Sequence, residues 1–339
     1  MADTKVSALT ALSVPVLDDE MYIVDDPAGT PLSRKIALHR LGGLFMPSIC
    51  QGRLTTESGV PVSTSDRTSQ STLYFAPFNG NRISLHDGTR WKLFAASGTN
   101  MASKALSGLT AGRPYDVFGF ENAGALDLEF VAWTNDTTRA TALALQDGVY
   151  VKSGDTTRRY LGMFYTTSTS TTEDSGGGTT TQVGGKRFVW NYCNRVPRPL
   201  LVIDTADNWS YATNTTRQAN GATGVSNAVE FVIGVNDMLV SADVRSTVYV
   251  YGQSATGARV GVGINSASAF SGLRQAGFNA AGSTAGAYQP IGASYVGHPG
   301  VGKHTFYWLE RGGDGTVIYL GDNGESGGLQ SGLSVEVWA

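Results

Sequence analysis

The sequence predicts a mainly β protein: a small N-terminal unit of strand, turn, strand and short helix, then antiparallel β domains, the last a jelly-roll-like sandwich. Three observations carry this. Short runs rich in Val, Ile, Thr, Tyr, Phe and Trp recur from about residue 70 to the end, and turn sequences containing Gly or Asn separate them. After residue 46 no helical period is sustained beyond two turns. No fixed-period repeat is present, so neither a solenoid nor a propeller is expected.

Residues 1–46 read as the N-terminal unit. Ala8-Leu9-Thr10-Ala11-Leu12 leads into MYIVDD, Asp26-Pro27-Ala28-Gly29 forms the turn, and SRKIAL and HRLGGLF follow as strand and short helix. Pro fixes φ and Gly tolerates positive φ, which places the reversal there. Ile36, Leu38, Leu41, Leu44 and Phe45 supply its apolar side. Residues 47–69 are polar and broken by Pro, Gly and Ser, as a linker arm would be.

A middle β domain is expected over 70–196. Its runs are TLYFAPF, NRISLHD, RWKLFAA, YDVFGFE, LDLEFVAW, GVYVKSG, RRYLGMFYTT and KRFVWNYC. Asn122-Ala123-Gly124 and Ser153-Gly154-Asp155-Thr156 mark hairpin turns. In LDLEFVAW, Leu126, Leu128 and Phe130 alternate with Asp127 and Glu129, the pattern of a half-buried strand. RRYLGMFY is apolar on both faces, so its second face should meet another sheet or another subunit. Residues 166–185, TTSTSTTEDSGGGTTTQVGG, read as a flexible loop. Pro197 and Pro199 open a C-terminal β-sandwich domain over 197–339 with eight short strands, in which Asp314-Gly315 predicts a hairpin between KHTFYWLE and GTVIYLG.

Composition limits the function classes. At 339 residues the chain exceeds what one core usually serves, so more than one domain is expected. Only 16% of residues are charged, which favours an exterior partly hidden in an oligomer. A net charge of −3 supplies no basic stripe, so no nucleic-acid partner is expected. MADTKVSALTALSV has neither a basic n-region before an apolar core nor an apolar run near 20 residues, so secretion and membrane insertion are not expected. Two cysteines, Cys50 and Cys193, suit folding in a reducing compartment, and their spacing leaves pairing open.

The motifs that could carry chemistry are incomplete. Gly297, Gly302 and Lys303 fit G-x4-G-K, yet His304 replaces the hydroxyl and strand sequence follows instead of a helix. Gly324-Glu325-Ser326-Gly327-Gly328 fits the nucleophile elbow, but no histidine follows Ser326. His39, His86, His298 and His304 gather no Cys or carboxylate at ligand spacing, so no metal or other cofactor is expected. Glu173-Asp174 and Asp18-Asp19-Glu20 are adjacent carboxylates of the kind that sit solvated in loops. Trp91, Trp133, Trp190, Trp209, Trp308 and Trp338 are expected mostly in cores or interfaces, with a minority exposed to stack on a sugar. No catalytic residues emerge and the chain is not expected to be an enzyme.

The opening KVSALTALSVPVLDDEMYIVDDPAGTPLSRKIALHRLGGLF resembles the N-terminal module of bacteriophage head-fibre and tail-fibre proteins. Val6, Leu9, Tyr22, Val24, Asp25, Ile36, Leu41 and Leu44 stand at its matching positions. Segments 126–167 and 302–339 also look like sequences of phage structural proteins. The resemblance implies a virion structural protein, a homotrimeric fibre docked through 1–46 to a capsid or tail protein. Its β domains would then reach a host cell-surface glycan. A capsid decoration protein and a glycan depolymerase are the alternatives.

Overall fold

The computed structural model describes residues 19–25, 32–38, 41, 46–178, 182–251, 257–271, 276–278, 287–313, 316–322 and 330–339. The fold is mainly β, with sheets antiparallel except for one parallel pair. Leu38 and Leu41 have helical backbone, and a 3-10 turn spans Ala219–Gly221.

Strands β1 (Glu20–Asp25) and β2 (Leu32–Ala37) form a ribbon of their own. Next come β3 (Gly52–Thr55), β4 (Arg67–Gln70), β5 (Thr72–Pro77), β6 (Arg82–His86), β7 (Trp91–Ala95) and β8 (Ala102–Ala105), of which β3-β5-β8 and β6-β7 make two small sheets. A central sheet is built from β9 (Pro114–Asn122), β10 (Ala125–Ala132), β11 (Leu143–Gln146), β12 (Val149–Lys152) and β13 (Asp155–Tyr165) in the order β10-β9-β13-β12-β11. The chain continues through β14 (Thr172–Gly177), β15 (Gly184–Arg187), β16 (Val189–Asn191), which joins β13, and β17 (Pro197–Ile203).

The remaining strands are β18 (Asn208–Ser210), β19 (Arg217–Gln218), β20 (Ala228–Ile233), β21 (Val240–Tyr251), β22 (Ala258–Ile264), β23 (Ala276–Phe278), β24 (Ala287–Gly297), β25 (Gly302–Arg311), β26 (Thr316–Leu320) and β27 (Gly332–Trp338). One sheet runs β23-β22-β25-β20-β15-β14-β4 with β19 on β25, and another runs β17-β27-β21-β26-β18 with β24 on β21. Phe231, Phe306 and Trp308 of the first share one buried cluster with Val244, Tyr319 and Val335 of the second.

Strand β13 is the hinge of the packing. Arg159 to Phe164 are all buried, and β9 lies along one edge while β12 and β16 share the other. A bulge between Tyr160 and Gly162 breaks the two-residue alternation. Tyr160 and Met163 therefore join the large cluster with Trp190 and Phe231, while Leu161 and Phe164 join a second one with Leu54, Phe75 and Ile83. Each such side chain contributes about 1.5–3 kcal/mol of transfer free energy. The second face of RRYLGMFY is thus met by this chain's own sheets, which removes that strand as an argument for a partner subunit.

Two of the hairpins legible in the sequence form. Strands β9 and β10 pair from Ala125↔Asn122 to Ala132↔Tyr115, around Ala123 and Gly124 at φ 50° and 85°. That is the positive-φ pair of the turn whose twist matches a hairpin. A Cβ on Gly124 would meet nothing within 4 Å, so Gly124→Ala is expected to cost about 1 kcal/mol in urea unfolding, from conformation alone. Strands β12 and β13 pair from Lys152↔Asp155, as expected.

Four expectations are corrected. Residues 47–69 are not a linker arm: β3 is buried throughout and β4 pairs with β14. Buried arginines satisfy this segment's carbonyls. Arg159 Nη1 donates to Pro47 O, Ile49 O and Ser84 O at 2.8, 2.8 and 2.7 Å, and Nη2 to Ser48 O at 3.1 Å. Arg53 Nε donates to Pro61 O at 3.1 Å and Arg198 Nη1 to Ser63 O at 2.8 Å. Burial, with Arg198 close by, lowers the Arg53 pKa to about 10.

Residues 166–185 are not a free loop, since β14 and β15 lie inside a sheet, while 179–181 fall outside the described residues. Their glycines serve close backbone approach: a Cβ on Gly184 would lie 1.8 Å from Ala228 O. Pro197 does not open an independent domain, because β15 pairs with β20 and the large cluster draws on residues from both sides of it. Asp314-Gly315 lies outside the described residues, and the strands flanking it do not pair: β25 belongs to the eight-stranded sheet and β26 to the six-stranded one.

Candidate interaction surfaces

In the N-terminal module, β1 and β2 pair from Glu20↔Ala37 to Asp25↔Leu32, with Lys35 Nζ 2.7 Å from Glu20 Oε2. Leu38 N donates to Asp19 O at 2.9 Å and extends the ribbon. Of the predicted docking residues, Tyr22, Val24 and Asp25 lie on β1 and Ile36 on β2. Leu41 follows, half-buried, with helical backbone. Register sets Tyr22 against Lys35 and Val24 against Ser33, but Asp25 against Leu32 and Met21 against Ile36. They therefore occupy alternating register positions, not a single row. Val6, Leu9 and Leu44 lie outside the described residues. Among the described residues the ribbon pairs with no other strand, and a two-stranded ribbon is at best marginally stable alone.

The second surface is the outer face of β17, β27, β21 and β24. Pro199 and Leu201 of β17, Ser334 and Glu336 of β27, Ser241 and Asp243 of β21, and Ser294 and Val296 of β24 line a shallow groove. The register brings Glu336 opposite both Pro199 and Ser241, and Asp243 opposite both Ser334 and Ser294. Val296 at 59%, Tyr288 at 63% and Trp338 at 37% exposure give the same sheet an uncovered apolar fringe. Tyr288 packs on Tyr249 with ring centroids 4.8 Å apart. Of the six tryptophans only Trp338 is exposed; Trp91, Trp133, Trp190, Trp209 and Trp308 are buried, as the aromatic pattern implies. Ser and carboxylate oxygens beside apolar rings can hydrogen-bond and stack on a polyhydroxylated ligand.

Most of the described groups singled out in the sequence are occupied internally, while His298 is exposed. Gly302 and Lys303 of the G-x4-G-K match open β25, and Lys303 Nζ pairs with Glu230 at 2.5 Å, which raises its pKa against the opposing effect of burial. His304 is buried, with Nε2 3.1 Å from Gly300 O and Nδ1 3.3 Å from Asn265; desolvation lowers its pKa. His86 lies edge-on to Trp91. His39 and Gly324 to Gly328 lie outside the described residues. Glu173 pairs with Lys186 at 3.2 Å, and Asp174 is held between Arg187 and Arg198 at 3.2 and 3.0 Å, so neither is a solvated loop carboxylate. Among the described residues no three His, Cys, Asp or Glu side chains are grouped to hold a metal ion, and no helix is long and apolar enough to cross a membrane.

Two buried acid networks were not legible. Asp116 accepts from Arg139 Nε at 2.8 Å, and Arg139 Nη2 also donates to Gly234 O at 2.6 Å and Tyr160 Oη at 3.1 Å; burial raises the Asp116 pKa. Glu310 accepts from Trp209 Nε1 at 2.6 Å and Arg217 Nε at 2.7 Å, and desolvation raises its pKa too. Each carboxylate has its partners in place and is buried, at 1% and 0% exposure, so both read as structural networks.

No protein-family model and no curated protein sequence matches the chain. Solved structures give distant likenesses. Dimeric latent PorU from Porphyromonas gingivalis aligns at 12% identity and a TM-score of 0.26, over 68% of this chain and 20% of that one. The insecticidal delta-endotoxin Cry8Ea1 from Bacillus thuringiensis aligns at 9% identity and 0.22, over 95% and 60%. The infectious bursal disease virus Gx strain structure aligns at 12% identity and 0.21, over 88% and 81%. The chain thus spans a fifth of the first and three fifths of the second. At such scores these likenesses carry no functional argument.

Proposed function

We propose that the chain is a non-enzymatic structural subunit of a bacteriophage particle, a trimeric head or tail fibre. Residues 1–46 dock it to a capsid or tail protein, and the β body, a jelly-roll-like sandwich among its layers, projects toward a host-surface glycan. The observation that carries this reading is the β1–β2 ribbon: it bears the fibre-like sequence and pairs with no other strand among the described residues. A ribbon of that size gains stability by docking on a partner. The groove of β17, β27, β21 and β24, with Trp338 and Tyr288 exposed on the same sheet, supports the glycan contact. Three copies of a weak glycan contact would raise avidity without any one strong site.

Deletion of residues 1–46 tests the docking role. The expected product is a soluble oligomer with the mass of three chains by light scattering that no longer enters particles; incorporation at the undeleted level would overturn the anchor.

A further inference from the structure

Cys50 and Cys193, far apart in sequence, meet in the fold. Cys50 bridges to Ile83 and is 8% exposed within the second cluster, against which the half-buried Cys193 packs. Both are free thiols, and they are neighbours: Cys193 packs on the cluster that holds Cys50, and Asn194, next in sequence to Cys193, binds the Cys50 carbonyl. The backbone around them is fixed from three sides. Asn194 Nδ2 donates to Cys50 O at 2.7 Å and to Gly52 O at 3.1 Å, Arg53 Nη1 donates to Asn194 O, and Tyr192 N donates to Leu161 O at 2.9 Å.

Arg159 adds a second observation. Its Nη1 and Nη2 are consumed by four carbonyls, its buried Nε has no hydrogen-bond partner, and its charge lies near enough to Cys193 to favour the thiolate. A sulfur bearing negative charge beside that guanidinium would compensate the orphan donor, as no neutral neighbour does.

We propose that Cys50 and Cys193 form a built-in dithiol that a small-molecule disulfide oxidises to an intrachain disulfide, with Cys193 as the attacking sulfur. The Cys193 thiolate attacks one sulfur of the small disulfide, forms a mixed disulfide and releases one small thiolate. Cys50 then gives up its proton and attacks the Cys193 sulfur, closing the protein disulfide and releasing the second small thiolate. Two protein thiols are oxidised and one small disulfide is reduced to two thiols.

The division of labour follows from position. Cys193 is the more exposed, and its interaction with Cys50, with Arg159 and Arg195 nearby, lowers its pKa to about 7, where attack near neutrality is efficient. Cys50 is buried, and its interaction with Cys193 together with desolvation raises its pKa, so it reacts second. The closed bond would tie the stretch leading into β3 to the end of β16. A chain folded in a reducing cytoplasm would then lock on reaching an oxidising medium.

The test uses the folded full-length protein and oxidised glutathione, with intact mass and alkylation of residual thiols as readouts. The wild-type chain is expected to lose two hydrogens, retain no glutathione and resist alkylation, with a rate rising through a midpoint near pH 7. Cys50→Ser is expected to keep one glutathione on Cys193, and Cys193→Ser to react roughly tenfold or more slowly. Glutathione retained on the wild-type chain without closure, or closure only after unfolding in urea, would overturn the proposal. Should a variant fail to fold, the mass of the wild-type product decides alone.

Discussion

Replacing Arg159 by Leu is expected to cost about 3–5 kcal/mol, the scale of removing one partner from a buried charged network. Arg159 is 2% exposed and its guanidinium binds four carbonyls, three from consecutive residues Pro47, Ser48 and Ile49 and the fourth from Ser84. The first three lie where the chain enters the body as irregular structure, and of these Ile49 O also accepts from Ser84 N at 2.9 Å. Leucine would fill part of the volume but take this donor from Pro47 O, Ser48 O and Ser84 O, at about 1–3 kcal/mol for each that water cannot reach. Arg159→Lys should recover only part of the loss, because an ammonium lacks the planar fork that spans both sides of the segment. Urea unfolding of the three proteins checks this. A midpoint for Arg159→Leu within experimental error of wild type would show that the carbonyls find other donors.

What the sequence disclosed and what it withheld divide by range. The β9–β10 hairpin was legible because its signal is local: Ala123-Gly124 sets the turn and Leu126, Leu128 and Phe130 set the face. The same holds for β1 and β2, whose strand residues fall where the MYIVDD and SRKIAL runs placed them. Residues 47–69 and 166–185 were misread because what orders them is remote. Arginine is among the residues least expected in a core. Nothing near Pro47 or Ser63 announces that Arg159 and Arg198 will satisfy its carbonyls. Likewise Gly177 and Gly184 look like slack until Leu201 O and Ala228 O are seen pressed against them, where a Cβ would collide. The Asp314-Gly315 pair shows the limit of turn chemistry: it can signal a reversal, but not whether the chain returns to the same sheet or crosses to the opposite one.

The groove face was half legible. In LSVEVWA the exposed Ser334, Glu336 and Trp338 alternate with the buried Leu333, Val335 and Val337. That Pro199 and Leu201 would lie beside them required the β17–β27 register, which no local pattern contains. That Cys50 and Cys193 would be neighbours was open in the sequence for the same reason: it depends on the stretch before the buried β3 packing beside the residues that follow β16.

Gly162→Ala should be the most damaging single methyl group that can be added to this chain's central strand. Gly162 sits at the β13 bulge with φ of 152°, and a Cβ there would lie 2.1 Å from Trp190 O, 3.0 Å from a Leu54 methyl and 3.1 Å from Asn191 Cα. The carbonyl and Cα belong to β16, whose register fixes Gly162 against Asn191, so the collision is backbone on backbone and no rotamer relieves it. To accommodate the methyl group, β16 would have to part from β13 there, taking with it the ladder and the position of Trp190 in the large core. The expected loss is at least about 3 kcal/mol, at the upper end for overpacking. Protein recovered only as aggregate would agree with it. The bulge also decides which core each neighbour enters, since it lets Tyr160 and Met163 face one cluster while Leu161 and Phe164 face the other. Near-ultraviolet circular dichroism of any soluble Gly162→Ala should therefore show loss of aromatic asymmetry beyond the change in stability. A variant with wild-type spectrum and unfolding midpoint would mean that β16 does not lie against β13 as described.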